Sequence, residues 1–324
     1  MDISEIRDLM ARSAGRKEPG ETLRIPEGRH FLWIVEGKAV WQTAGGAKRE
    51  LEGGVIAHDV IGPGVATFEE SSNYIWFDGG DPLGFDPGAA VYHKLLASYN
   101  QGVGEALLKN LPIKTSDIWV DIGTGTAAMV AALSQVCKPN DPVWIFGVDR
   151  AGRMMDEAWK STEDADIPTW FVQRDLAQLR WPCEMVDGVT ALLLFHLLDD
   201  LEVILNNVFQ ALKPGGRLLY AVSADQNPFV KMIMRQLRGP GDFFKRGQKQ
   251  IQKQVLGAGF VIEQERTYED SIAVENPQAM LDLISSIGGP ATRGLRHDIV
   301  PPTRIPRTFQ LVWALKPSRE VIAQ

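Results

Sequence analysis

Trp119-Val120-Asp121-Ile122-Gly123-Thr124-Gly125-Thr126-Ala127-Ala128-Met129 is the stretch from which the fold of this chain is read. An apolar run meets an acidic residue, then a turn with two glycines, then small residues that favour a helix. Glycine has no side chain and tolerates positive φ, so the backbone of such a turn comes close to a ligand. The helix that follows points its first amides at whatever fills the turn. Strand, glycine turn and helix in that order form a ligand-binding unit of open α/β sheets. The pattern is weak by itself and gains its weight from its neighbours.

Those neighbours follow in the order a parallel sheet requires. Val143-Trp144-Ile145-Phe146-Gly147-Val148 is an apolar run ending in Asp149, as a buried parallel strand would. A carboxylate at the end of a second strand is placed to accept from both hydroxyls of a ribose. Thr169-Trp170-Phe171-Val172-Gln173 leads into Arg174-Asp175, and Val186 to Phe195 predicts a fourth strand. Leu201 to Leu212 reads as a helix with Leu201, Ile204, Leu205, Val208 and Leu212 on its apolar face. Lys213-Pro214-Gly215-Gly216 stops it, and Arg217-Leu218-Leu219-Tyr220-Ala221-Val222 makes a fifth strand.

Taken together these segments resemble the class I S-adenosylmethionine-dependent methyltransferases. The residues that carry the resemblance are the Asp121-to-Ala127 loop, Asp149, Arg174-Asp175, Phe195-His196-Leu197-Leu198-Asp199-Asp200 and Leu212-Lys213-Pro214-Gly215-Gly216-Arg217-Leu218-Leu219. The last two are most similar to the small-molecule branch that includes the ubiquinone and menaquinone biosynthesis enzymes. The resemblance runs from about Tyr92 to Tyr268, with a closing strand at Phe309 to Leu315. It implies an α/β fold, a Rossmann-like seven-stranded sheet with an N-terminal β-containing appendage, and S-adenosyl-L-methionine as cofactor. Position by position, it implies Gly123 and Gly125 against the methionine part, Asp121 near its ammonium and Asp149 on the ribose hydroxyls. Asp175 then accepts from the adenine amino group and Leu176 packs on the ring, with Thr124, Arg150 and Phe195 completing the cofactor set. Ala127 departs from the family, which often has a third glycine there. The alternatives are a non-methylating protein of the same fold, an NAD-dependent oxidoreductase, and a scaffold without cofactor. The Leu-Lys-Pro-Gly-Gly segment argues against the dinucleotide enzyme, which does not call for one before its fifth strand.

The 324 residues suit a domain of this kind (89–317) plus an appendage (1–85), and 44% hydrophobic content supports a sizeable core. A net charge of −7 gives no basic footprint for nucleic acid. The cysteines, Cys137 and Cys183, have neither metal-type spacing nor the makings of a disulfide framework, and no metal is expected. With no signal-peptide pattern after Met1 and no apolar stretch near the ~20 residues of a membrane span, the expectation is a cytoplasmic protein.

Met1 to Arg16 predicts a short helix with Ile3, Ile6, Leu9 and Met10 on one face. Beyond it, short apolar runs punctuated by glycine, among them Phe31 to Val35, Ala39 to Trp41 and Asn73 to Phe77, predict a small antiparallel β unit. It is faintly similar to a cupin or cyclic-nucleotide β-roll but lacks an arginine-bearing phosphate cassette. Scaffold, lid or homodimer contact is its expected use. The turn formers of Asp78 to Gly88 mark the boundary.

The expected chemistry lies beside the cofactor. Ala89 to Leu111 predicts a helix that puts Tyr92 and Tyr99 on one face, two turns apart, to line a pocket or pack on the sheet. His93 is expected at the surface. His196 follows the fourth strand at the sheet's carboxyl edge, where an imidazole is placed either to take a proton as the methyl arrives or to stand as a shelf. Substrate choice is expected in two insertions, 223–250 and 268–307. Apolar residues such as Phe229 and Met232 mix there with Lys245, Arg246, Arg293 and Arg296, which suits a greasy molecule carrying an anionic group.

Overall fold

The computed structural model describes residues 14–53, 58–78, 88–137, 143–163, 165, 167–179, 181–236, 245–276, 278, 279, 282, 284 and 303–318. The chain divides into two compact units. One holds residues 1–82 with 150–152 and 172–180, the other the remainder.

The first unit is built on six strands: β1 (Ala14–Lys17), β2 (Thr22–Glu36), β3 (Lys38–Thr43), β4 (Lys48–Glu52), β5 (His58–Phe68) and β6 (Ser72–Asp78). They form one sheet in the order β1-β6-β2-β5-β3-β4, with antiparallel neighbours throughout. Although β2 and β3 are separated only by Gly37, β5 lies between them, so the turn at Glu36-Gly37-Lys38 closes no hairpin. Alternate residues of these strands build the core of Ile25, Leu32, Ile34, Ala39, Trp41, Leu51, Ala66 and Phe68. The helix expected over residues 1–16 fails at its end. Ala14–Lys17 is a strand pairing Ala14 with Ile75 through Lys17 with Ser72. Its backbone groups pair with the open edge of β6, which the strand satisfies. Residues 1–13 lie outside the described residues.

The second sheet has seven strands: β7 (Ile118–Ile122), β8 (Trp144–Asp149), β9 (Thr169–Gln173), β10 (Val186–Leu192), β11 (Leu212–Ser223), β12 (Val261–Val274) and β13 (Thr303–Leu315). Their order is β12-β13-β11-β10-β7-β8-β9. β8, β7, β10 and β11 run parallel, while β13 is antiparallel to both β11 and β12. The order reverses at β7, where the chain leaves for β8 on one side and β10 lies on the other. That is the crevice in which open α/β sheets bind ligands.

Six helices are placed among the described residues: α1 (Ala89–Leu108), α2 (Ala128–Val136), α3 (Gly152–Thr162), α4 (Leu201–Ala211), α5 (Pro228–Gln236) and α6 (Gln248–Gly257). α1 buries Leu96, Asn100, Val103, Gly104 and Leu107, a helical stripe that is apolar except for Asn100. α4 buries Leu201, Ile204, Leu205 and Val208, four of the five residues read from the sequence, with Ala211 beside them. It ends at Ala211, and Lys213-Pro214-Gly215-Gly216 is drawn into the start of β11. Gly215 donates its N–H to Lys316 O (2.9 Å), and Lys316 N–H donates to Gly216 O (2.9 Å).

The segment 268–307 begins and ends inside the sheet. β12 and β13 pair from Val261 with Leu315 to Val274 with Thr303, so Tyr268, Asp270 and Arg307 are ladder residues. Within it, Arg293, Arg296 and His297 lie outside the described residues. No described helix is long and apolar enough to cross a membrane.

Candidate functional site

The glycine loop leaves β7 and folds over the end of β8. Gly123 and Thr124 donate their N–H groups to Val148 O at 2.7 and 3.1 Å. Gly123 (φ +68°) and Gly125 (φ +53°) adopt left-handed backbone that side-chain-bearing residues enter at a cost. A Cβ on Gly123 would also lie 2.6 Å from Leu194 Cδ1. Gly125 N–H donates to Asp149 Oδ2 at 2.8 Å, so the residue expected at the ribose also ties down the loop.

Ala127 closes the loop in left-handed backbone too (φ +65°), while fully buried ahead of α2. Here the third glycine of the family has a physical reason, and the chain bears the strain instead. Ala127→Gly relieves ~1–2 kcal/mol of left-handed strain. It loses one buried methyl, ~0.8 kcal/mol, and gains unfolded-state freedom of ~0.4–1 kcal/mol. The expected urea midpoint is therefore close to wild type. By contrast Ala132→Gly, buried within α2, loses ~1 kcal/mol or more.

Asp121 on β7 is 1% exposed. Its Oδ1 accepts from Thr190 Oγ1 at 2.7 Å, and its Oδ2, also buried, makes no hydrogen bond within the described residues. Burial pushes its carboxyl up to about 7, offset only in part by the hydroxyls of Thr190 and Thr124. An unmatched buried carboxylate oxygen beside a glycine loop fits the ammonium of an amino-acid ligand. The pH consequence has a definite sign. Asp121 stabilises the ligand-free fold fully below its unfolded value of about 4, and that contribution is lost as pH rises through about 7. If Asp121 takes the ammonium, as the resemblance implies, the ionised form is preferred and S-adenosylmethionine affinity should rise with pH through about 7, with proton release on binding below it. Calorimetry between pH 5.5 and 8.5 reads this directly, and Asp121→Asn should flatten the profile.

Two further expected residues share a pair. Arg150 Nη2 lies 3.4 Å from Asp175 Oδ2, and Asp175 Oδ1 accepts from the Ala177 N–H at 2.9 Å. Gln173 Nε2 donates to Arg150 O at 2.9 Å, and Leu176 is 8% exposed. Phe195 is buried with its ring against Tyr220, centroids 5.1 Å apart.

His196 is buried, and desolvation lowers its imidazole to about 3. It is neutral at physiological pH and a weak base as it stands. Its carbonyl accepts the Lys245 N–H (2.8 Å), while Lys245 Nζ pairs with Asp199 Oδ1 (2.9 Å) and Arg246 donates to the carbonyls of Leu198 and Asp199. The lead-in to α6 thus straps the loop after β10.

Tyr92 and Tyr99 enter one polar network with three residues that the sequence reading did not assign to it. Arg307 on β13, 1% exposed, donates from Nε and Nη2 to the Asp270 carboxylate (2.7 and 2.5 Å) and from Nη1 to Asn100 Oδ1 (2.9 Å). Asn100 Nδ2 donates to Tyr92 Oη (3.0 Å). Tyr99 lays its ring on the Arg307 guanidinium (5.4 Å), with Phe309 also against it (4.9 Å), and its hydroxyl accepts the Ala273 N–H (3.3 Å). A signal for part of this exists in the sequence. Asn100 lies eight residues after Tyr92 and four after Leu96, on the same helical face. His93, expected at the surface, is half-buried. Among the described residues no three metal-ligating side chains cluster.

Residues 120–220 match the methyltransferase-domain family model. No curated protein gives a significant sequence match. Among solved structures, a Bacillus halodurans protein provisionally assigned as a methyltransferase aligns over 67% of this chain and all of its own, at 16% identity and a TM-score of 0.50. Haemonchus contortus phosphoethanolamine N-methyltransferase 2, solved with phosphomonomethylethanolamine and S-adenosylhomocysteine, aligns over 91% of this chain and 72% of its own (14% identity, TM-score 0.50). A protein from a study of disulfide-to-thioacetal conversion in echinomycin biosynthesis aligns over 74% and 94% (14% identity, TM-score 0.51). These likenesses concern the fold, and the family match concerns the segment holding the glycine loop, Asp149, Asp175 and His196. Residues 120–220 therefore carry a methyltransferase domain.

Proposed function

We propose that this enzyme moves the methyl of S-adenosylmethionine to an O, C or N atom of a small, largely apolar organic molecule. The observation that carries the reading is the unmatched buried oxygen of Asp121 beside a glycine loop moored to Asp149. Asp121 takes the ammonium, Gly123, Thr124 and Gly125 line the methionine part, and Asp149 serves the ribose. Arg150, Asp175 and Leu176 serve the adenine, as the family resemblance implies.

Transfer from a sulfonium needs alignment more than proton abstraction. The neutral, weakly basic His196 suits that division, acting by shape and hydrogen bonding while the acceptor supplies its own nucleophilicity. A buried apolar cluster of Leu96, Phe229, Met232, Ile272, Val274, Ile284 and Ile305, with Tyr92 and Tyr99 packed against it, draws on both segments in which substrate choice is expected, and that supports an apolar acceptor. Among the described residues, Lys245, Arg246 and Arg307 already face Asp199, backbone carbonyls and Asp270.

Titration calorimetry with S-adenosylmethionine and, in parallel, NAD tests the reading. Micromolar binding of S-adenosylmethionine and silence with NAD are expected. Heat with NAD alone moves the glycine loop to an oxidoreductase, and binding without turnover to S-adenosylhomocysteine across an acceptor panel favours a non-methylating role.

A further inference from the structure

The ladder between β7 and β10 ends where the crevice begins. Its parallel register runs Trp119 with Gly188, Val120 with Val189 and Asp121 with Thr190, and goes no further. Asp121 and Thr190 are therefore the last rung before the two strands part, at the point where the sheet order reverses and open α/β sheets take ligands. On its other side Asp121 faces Gly147 of β8, which has no side chain. Thr190 is thus the polar cross-strand neighbour of this carboxylate, and its Oγ1 donates to Asp121 Oδ1 at 2.7 Å.

Packing alone does not ask for a hydroxyl here. Thr190 is fully buried, and valine has the same branched shape and strand preference without a polar atom to bury. The hydroxyl finds its partner in Asp121, whose Oδ2 makes no hydrogen bond within the described residues. A donor on Oδ1 favours the charged carboxylate and fixes the plane of the group. Burial works the other way and holds the carboxyl up at about 7. Two further groups act on it: the loop hydroxyl of Thr124 favours the charge, and Asp149 on β8 opposes it.

We propose that Thr190 is a positioning residue of the cofactor site: its hydroxyl fixes the Asp121 carboxylate and favours the charge with which that group meets the ammonium of S-adenosylmethionine. It acts through Asp121. The hold on the cofactor near neutral pH is then tuned by an uncharged residue on the neighbouring strand. The inference rests on the methyltransferase reading above and deepens it by naming what regulates that site.

Calorimetric titration of the full-length protein with S-adenosylhomocysteine between pH 5.5 and 8.5 tests this in wild type, Asp121→Asn, Thr190→Val and Thr190→Ser. The ammonium of the ligand titrates alike with every variant, so it cancels from ratios of affinity. Thr190→Val keeps the volume but raises the pH at which Asp121 ionises, by about one unit for one hydrogen bond to a charged group. Its deficit should be about tenfold at pH 5.5 and shrink below about twofold at pH 8.5, because the loss disappears once both proteins are ionised. Thr190→Ser restores the donor and should restore the wild-type slope. A purely structural threonine gives Thr190→Val a deficit of the same size at every pH, and that result, or no deficit at all, overturns the proposal. The cofactor reading fails separately: no binding by wild type, or Asp121→Asn with wild-type affinity and slope, removes it and this inference with it. If Thr190→Val does not fold, Thr190→Cys, close in volume and only a weak donor, decides by the same ratio.

Discussion

Replacing Arg307 with methionine should lower the unfolding free energy by about 3–5 kcal/mol, the scale for breaking a buried ion pair by removing one partner. The Arg307 side chain is 2% exposed and that of Asp270 16%, so the carboxylate left behind is poorly solvated. Asn100 Oδ1 loses its donor in the same step, and Tyr99 and Phe309 lose the cation between them. The double variant Arg307→Met with Asp270→Leu should recover much of the loss, since an apolar pair of matched volume avoids the desolvation that an ion pair must overcome. Urea denaturation of the four proteins measures this. Additive losses in the double variant would show that Asp270 is not the partner that matters.

The second large effect concerns the cofactor. Asp149→Ala should weaken S-adenosylmethionine binding by ~2–3 kcal/mol, the scale of lost charge-assisted hydrogen bonds. That corresponds to a dissociation constant roughly 30 to 150 times higher. Two contributions combine in it. On the proposed assignment the ribose hydroxyls lose their acceptor, and the Gly125 N–H loses the 2.8 Å bond that moors the loop. Asp149→Asn separates them, because its amide oxygen still accepts from Gly125 but no longer offers a charged acceptor to two hydroxyls. An intermediate affinity is expected for it by calorimetry. Unchanged affinity in Asp149→Ala would falsify the ribose assignment.

Much of the sheet was legible because buried parallel strands are written as continuous apolar runs, and their ends as acid or glycine. β7, β8, β9 and the apolar face of α4 fall where those runs predict. The N-terminal strands were legible as strands, but their order was not. β2 and β3 follow one another in sequence yet accept β5 between them, a choice made by long-range pairing and by the core of Leu32, Ile34, Trp41 and Phe68. Ala14–Lys17 shows the same limit. The helix expected there rested on Ile3, Ile6, Leu9 and Met10, outside the described residues, and its last residues pair with an open sheet edge instead. Of the long β12–β13 ladder only the closing stretch Phe309 to Leu315 was read, because β12 alternates exposed and half-buried residues over much of its length and carries charge from Glu263 to Asp270.

The sequence by itself determined the strands around the glycine loop, the loop and the acids beside it: Asp121, Gly123, Gly125 and Asp149 are local, since each stands at the end of its own strand or in the turn that follows. What only the tertiary structure decided is how charge and polarity are held. Asp121 stays partly protonated because Val120, Ile122 and their surroundings exclude water, and His196 is kept neutral for the same reason. The orientation of the Asn100 amide depends on Arg307, which stands 207 positions from it along the chain. Spacing can announce a residue's type and face, but its protonation and the sense of its hydrogen bonds follow from the distant groups that desolvate and oppose it.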